Sequence, residues 1–190
     1  PGGRVVLGTS RGNAFWIDLV ALWCEGAVPI PLEPSAEAAH ARVVVDKTTP
    51  VARIGEFSSG PASLEALPAL SSIPLPEDTD LEPQQVTPDA LGLILFTSGS
   101  TGLPKGVMLS NRAVIGNARA TLASLGRGTG ERLFMAIPFR FVSALSHFMV
   151  SMLGGITLVG TERRLLQADF ARELVAARAH GYGGSPLQAR

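Results

Sequence analysis

Residues 91–109 read Leu91-Gly92-Leu93-Ile94-Leu95-Phe96-Thr97-Ser98-Gly99-Ser100-Thr101-Gly102-Leu103-Pro104-Lys105-Gly106-Val107-Met108-Leu109. The first six form a short, continuous apolar run bounded by turn residues, the pattern of a buried strand. Val107-Met108-Leu109 reads as a second strand, so residues 97–106 are the loop of a strand-loop-strand unit. That loop holds three glycines, four hydroxyl side chains, one proline and one lysine. Glycines let backbone amides turn inward and approach an anion closely. Hydroxyls add donors, and a lysine ammonium is a compact charge suited to phosphate oxygens. The end of a buried strand is also where open parallel sheets place their ligands. The same composition would suit a solvated Gly/Ser turn between two strands. The Walker spacing, G-x-x-x-x-G-K-[ST] opening a helix, is absent, because Lys105 is followed by Gly106 and a strand. The chain has fourteen arginines and only two lysines, Lys47 and Lys105, so composition alone would have put arginine in the loop.

Outward from this unit, strand-like and helix-like segments alternate, which predicts an α/β fold: a mainly parallel β-sheet covered by helices. Upstream, residues 4–8 read as a strand and 11–25 as a helix with Phe15, Trp16, Leu19, Val20 and Trp23 on one face, ending near Gly26. Ala27–Pro31 reads as a strand whose two prolines place it near a sheet edge or make its end irregular. Residues 35–46 suit a helix opened by Ser35, although Val43-Val44-Val45 suits a strand equally well. Residues 51–55 read as a short strand, and 57–90 as loops with a short helix near 62–67. Downstream, a helix capped by Ser110 groups Val114, Ala118, Leu122 and Leu125 and stops at Gly126. A strand at 132–137, an apolar helix at 141–153, a strand at 156–160 and a helix at 168–180 ending at Gly181 complete the pass.

Bulk properties narrow the partners. Sixteen basic residues balance sixteen acidic ones, so no net charge draws the chain to nucleic acid or anionic membrane. Only 17% of residues are charged, below the roughly 25% of soluble domains, which suggests a chain that buries much of itself. Cys24, the sole cysteine, lies in an apolar helical stretch and reads as a buried, inert thiol. His40, His147 and His180 are too scattered for a metal site. No apolar run is long enough to span a membrane, and a cytoplasmic location follows by default. Both ends look like cuts through a larger fold.

The string Thr97–Gly106 closely resembles the signature of the acyl-adenylate-forming superfamily, which includes acyl- and aryl-CoA ligases, luciferases and the adenylation domains of peptide synthetases. Pro1–Pro34, Val107–Asn117, Pro138–Thr157 and Gly183–Arg190 resemble further segments of that family. The resemblance covers almost the whole chain but only the first part of a typical member: residues 1–190 would be a partial N-terminal (AMP-binding) domain. The family's later Tyr-Gly-x-Thr-Glu segment, its ribose-binding aspartate, its hinge and its small C-terminal domain with the catalytic lysine have no counterpart here.

The resemblance implies an ATP-dependent carboxylic acid:thiol ligase. The loop would hold the β- and γ-phosphates of ATP, with Mg²⁺ assisting, while a carboxylate attacks the α-phosphate. Thr97, Ser98, Ser100 and Thr101 would donate hydroxyls or amides, Gly99, Gly102 and Gly106 would supply the backbone path, and Lys105 would sit near the departing pyrophosphate. The acyl group would then pass to a thiol, of coenzyme A or of a carrier protein's phosphopantetheine. Phe141 falls where the family often lines the acyl pocket, although it suits a core phenylalanine equally well. Amino-acid-activating members place an aspartate next, to pair with the substrate ammonium; this chain has Val142. A buried, unpartnered ammonium is costly, so the expected substrate is a small carboxylic acid other than an α-amino acid. Gly183, Gly184, Ser185 and Pro186 would form a pocket edge or a plain turn. Arg140 reads as an exposed arginine or a contact to substrate or phosphate, and His147 as a packed core histidine. The metal ligands are unknown, and the 190 residues alone are expected to be inactive. The alternatives are a non-catalytic phosphate- or nucleotide-binding or interaction module derived from that family, and an unrelated phosphate-loop nucleotidase.

Overall fold

A computed structural model describes residues 2–8, 12–57, 64–69, 82–97, 104–137, 139, 141–160 and 167–184. The chain is α/β, and it divides into two compact units, Pro1–Arg112 and Ala113–Arg190.

The first unit is built on β1 (Arg4–Gly8), α1 (Asn13–Cys24), β2 (Val28–Leu32), α2 (Ala38–Thr48), β3 (Ala52–Ile54) and β4 (Glu65–Leu67). The four strands make a sheet in the order β2-β1-β3-β4, with every pairing parallel. Pro29 and Pro31 cannot donate to a ladder, and β2 is indeed an edge strand of that sheet. All five residues of β2 are buried, as expected of a strand covered on both faces. α1 buries Phe15, Trp16, Leu19 and Leu22, while Val20, Trp23 and Cys24 are half-buried. The thiol is therefore less enclosed than the sequence pattern predicts. α2 delivers Ala41 and Val44 into a core with Val6, Val28, Ile30, Leu32 and Ile94. The valine run at 43–45 is helical, since only Val44 of the three is fully buried.

β5 (Leu91–Thr97) and β6 (Lys105–Ser110) form a separate antiparallel pair. The helix expected near 62–67 is replaced, within the described residues, by the strand β4. Its three residues are exposed and are held by a ladder to β3, so pairing overrides the helix propensity of Glu, Ala and Leu.

α3 (Asn111–Leu125) begins at the end of the first unit and continues into the second. The rest of the second unit is β7 (Arg132–Met135), α4 (Val142–Gly154), β8 (Thr157–Gly160), α5 (Gln167–Ala176) and β9 (Gly181–Gly183). Its parallel sheet runs β8-β7-β9. Ala118, Leu133, Val150 and Ile156 make one core; Phe134, Phe170 and Ala177 make another. Leu125, expected on the buried face of α3, is exposed. α5 ends at Ala176 rather than near 180. Arg178 turns left-handed at φ 49°, and the His180 amide donates to the Arg132 carbonyl, which starts β9 beside β7. Gly155 closes α4 in the left-handed conformation that glycine adopts without a Cβ penalty.

Candidate functional site

The apolar run 91–96 becomes the buried core of β5. Gly92, Leu93, Ile94 and Leu95 are all inaccessible, and the Trp23 indole donates to the Gly92 carbonyl at 2.7 Å, tying α1 to this strand. Gly92 is required by close approach, because a Cβ there would overlap the Asn111 side-chain amide.

β6 runs back along β5 with Thr97 opposite Lys105, Phe96 opposite Gly106 and Ile94 opposite Met108. The two strands thus hold both ends of the glycine- and hydroxyl-rich loop. Ser98, Gly99, Ser100, Thr101 and Gly102 lie outside the described residues. Thr97 and Lys105 are exposed, whereas Pro104 is buried. The Phe96 ring lies across Gly106, whose added Cβ would meet Phe96 Cζ at 3.1 Å.

An open cleft of about 500 Å³ adjoins this hairpin. Its apolar wall is Ile94, Phe96 and Met108, and the charged side chains described around it are Arg4, Lys47 and Lys105. The Lys47 ammonium donates to the Pro104 carbonyl at 3.0 Å. Arg4 Nη1 donates to the Thr48 carbonyl at 2.9 Å. The linear pattern does not place Arg4 and Lys47 beside the loop; the signal available is that Lys47 is the only lysine besides Lys105. Among the described residues, no group of three or more His, Cys, Asp or Glu comes together to hold a metal ion. No described helix is long and apolar enough to cross a membrane.

The expected pocket residues belong to the second unit. Phe141 precedes α4 at its N-cap in extended conformation and is 46% exposed, so the core-phenylalanine alternative is overturned. Gly183 ends β9 and is buried; its carbonyl accepts from the Ala136 amide at 3.0 Å. Gly184 follows, half-buried, while Arg140, Ser185 and Pro186 lie outside the described residues. His147 is half-buried rather than fully packed. Its Nδ1 lies 2.6 Å from the Ser143 carbonyl, which can only accept, so Nδ1 carries a proton there. The ring sits directly against Gly183. The structure thus brings His147 to Gly183, a pairing that the linear pattern does not contain.

Parallel sheets with covering helices are interrupted by one strand-loop-strand unit, and the sequence of its loop is rich in glycine and hydroxyls with a lysine at the exit. The AMP-binding enzyme family matches residues 1–186, and the chain belongs to that family. Two of the subunits of linear gramicidin synthase from Brevibacillus parabrevis are among its relatives. One is 32% identical over 171 residues, a match covering 87% of this chain and 2% of that protein. The other is 29% identical over 164 residues, covering 82% of this chain and 3% of the relative. The chain therefore spans only a few per cent of the length of these curated relatives. The structure of o-succinylbenzoate CoA synthetase from Bacillus subtilis, in complex with the acyl-adenylate intermediate OSB-AMP, superposes with a TM-score of 0.83 at 18% identity. That match covers 99% of this chain and 50% of the other, and it establishes likeness of fold.

Proposed function

We propose that this chain is the phosphate-gripping part of an ATP-dependent ligase that activates a carboxylic acid as its acyl-adenylate and passes the acyl group to a thiol. The observation that carries the reading is the hairpin β5–β6 in a member of the AMP-binding enzyme family, with Thr97 and Lys105 facing each other across the mouth of the loop. In the first step a carboxylate oxygen attacks the α-phosphorus of ATP. The bond to the β-phosphate breaks, and pyrophosphate leaves with the electron pair. In the second, a thiolate attacks the acyl carbonyl and AMP leaves.

This chain's own part in that chemistry is positioning and charge. The loop residues Ser98, Gly99, Ser100, Thr101 and Gly102, together with Thr97 and Gly106, present donors and close backbone to the β- and γ-phosphates. Lys105 offsets the charge that builds on the leaving pyrophosphate. Mg²⁺, which the resemblance implies, would screen the charge of the phosphates; the described residues gather no cluster of carboxylates that would hold it. The acceptor thiol in this reading is that of coenzyme A or of a carrier protein's phosphopantetheine.

The acid is one without an α-ammonium group. By the family resemblance, Val142, the first residue of α4, occupies the position of the aspartate that pairs with the ammonium in amino-acid-activating members, and it offers no carboxylate to such a group. Phe141, Gly183 and Gly184 are the pocket residues of this reading.

Carboxylate-dependent exchange of labelled pyrophosphate into ATP tests the proposal, with a panel of aryl, fatty and amino acids. Exchange by the natural protein with an acid lacking an α-ammonium group, and none by the 190 residues, is the expected result. ATP or pyrophosphate binding with no exchange on any acid would mark a non-catalytic binding module instead. Exchange by the isolated chain would show that these 190 residues suffice for adenylate formation.

A further inference from the structure

We infer that Lys47 and Arg4 are additional contacts for the phosphate chain, forming with Lys105 one cationic cleft that grips pyrophosphate. This rests on the ligase reading above and extends it to residues outside the signature loop.

The chain is electrically balanced and contains only two lysines, distant in sequence. Both line the same cleft, together with Arg4. No acidic residue is among the described side chains that line it. Three positive groups around one opening of about 500 Å³ leave a local excess of charge in a molecule with none overall. Such an excess draws anions, and the apolar wall of Ile94, Phe96 and Met108 lowers the local dielectric and strengthens the pull.

A simpler role for Lys47 would be to complement the dipole at the C-terminal end of α2, where it lies in the last turn. Its hydrogen-bond partner argues otherwise. The α2 terminus is closed by Thr49 in left-handed conformation, whose amide donates to the Val45 carbonyl. The Lys47 ammonium instead donates to Pro104, the residue just before Lys105. That bond uses one of three ammonium donors. It fixes the charge beside the loop exit, and Arg4 is likewise anchored on Thr48. Cations already held in place lose little side-chain freedom when an anion arrives. The ligand class that such a cleft selects is a multiply charged phosphate.

The test measures binding of inorganic pyrophosphate to the natural protein by calorimetry at two salt concentrations, with thermal midpoints alongside. Lys47→Gln removes the charge yet can still donate to the Pro104 carbonyl. It should weaken binding by about fivefold to tenfold and flatten the salt dependence, with the midpoint unchanged. Arg4→Gln should act in the same direction. Lys47→Arg keeps the charge and should stay within about twofold of wild type. If Lys105→Ala loses affinity while Lys47→Gln and Arg4→Gln bind as wild type, the extended cleft is refuted and the ligase reading stands. Should Lys47→Gln unfold, Lys47→Arg decides: a folded arginine variant that binds as weakly as Lys105→Ala overturns the role of charge at position 47. Failure of the wild-type protein to bind pyrophosphate at all would remove the ligase reading itself.

Discussion

The imidazole of His147 lies against the Cα of Gly183, so close that a Cβ at that glycine would overlap the ring. The ring cannot swing aside freely, because its Nδ1 is hydrogen-bonded to the Ser143 carbonyl one helical turn back. Helix α4 and the end of strand β9 are therefore fitted to each other at a single point. Gly183→Ala should destabilise the protein by about 1–3 kcal/mol through overpacking. Thermal denaturation of Gly183→Ala, His147→Ala and the double variant checks this. The two effects should be strongly non-additive, because removing the ring makes room for the methyl group. Simple additivity would show that the contact carries no strain.

Trp23→Phe isolates the link between α1 and β5. The ring volume is largely kept, but the indole N–H that reaches the Gly92 carbonyl at 2.7 Å is lost. A net cost of about 1 kcal/mol is expected from the missing bond. Denaturant titration should show an earlier midpoint at an unchanged slope. A larger loss, on the scale of a core deletion, would mean that the ring's packing dominates.

Much of this architecture is legible in the sequence because it is local. The run Leu91–Phe96 and the turn chemistry after it define a hairpin without outside information, and Pro29 and Pro31 admit an edge strand or an irregular end for β2, of which the edge is found. Where neighbours in space decide, the pattern says less. Glu65-Ala66-Leu67 favours helix by propensity but is recruited as β4 by the edge of β3. α5 stops early because Arg178 turns left-handed and β7 captures the residues that follow. Phe141 suits a core or a pocket equally by sequence, and its exposure in the structure speaks against the core. Arg4, Lys47 and Lys105 line one cleft, with Arg4 bonded to Thr48 and Lys47 to Pro104, which no periodicity records. Lys47 is visible in the sequence only as an oddity of composition.

Acid should loosen the junction between β5 and α3. Arg112 Nε and Nη2 reach the two carboxylate oxygens of Asp89 at 2.8 and 3.1 Å. The guanidinium holds the Asp89 carboxyl below its ordinary value of 3.8. A carboxyl depressed in the folded state stabilises above its unfolded-state value, and that contribution is lost as pH falls through the folded one. The stabilisation is therefore complete at neutral pH and fades only below about pH 4. The pair is exposed, so the effect is small and salt-sensitive. Asp89→Asn should lower the thermal midpoint slightly at pH 7 in low salt. The difference from wild type should shrink as the pH is lowered through the folded-state value of Asp89, and also in molar salt. A difference that persists in acid would place the residue's role in packing or turn geometry.

Lys105→Ala probes the signature loop most directly. Lys105 is exposed on β6, opposite Thr97, and its removal creates no core cavity. Stability should change by no more than about 0.5 kcal/mol, as for other surface substitutions. Catalysis should suffer far more, because an ammonium beside the leaving pyrophosphate acts where charge builds in the transition state. In the natural protein, adenylate formation should slow by about tenfold to a hundredfold, measured by pyrophosphate exchange at saturating acid. Arginine at this position should restore only part of the rate, since a planar guanidinium does not reproduce a compact ammonium. If stability and exchange instead fall together, Lys105 holds the hairpin rather than the phosphates, and the assignment of this loop to nucleotide chemistry would have to be given up.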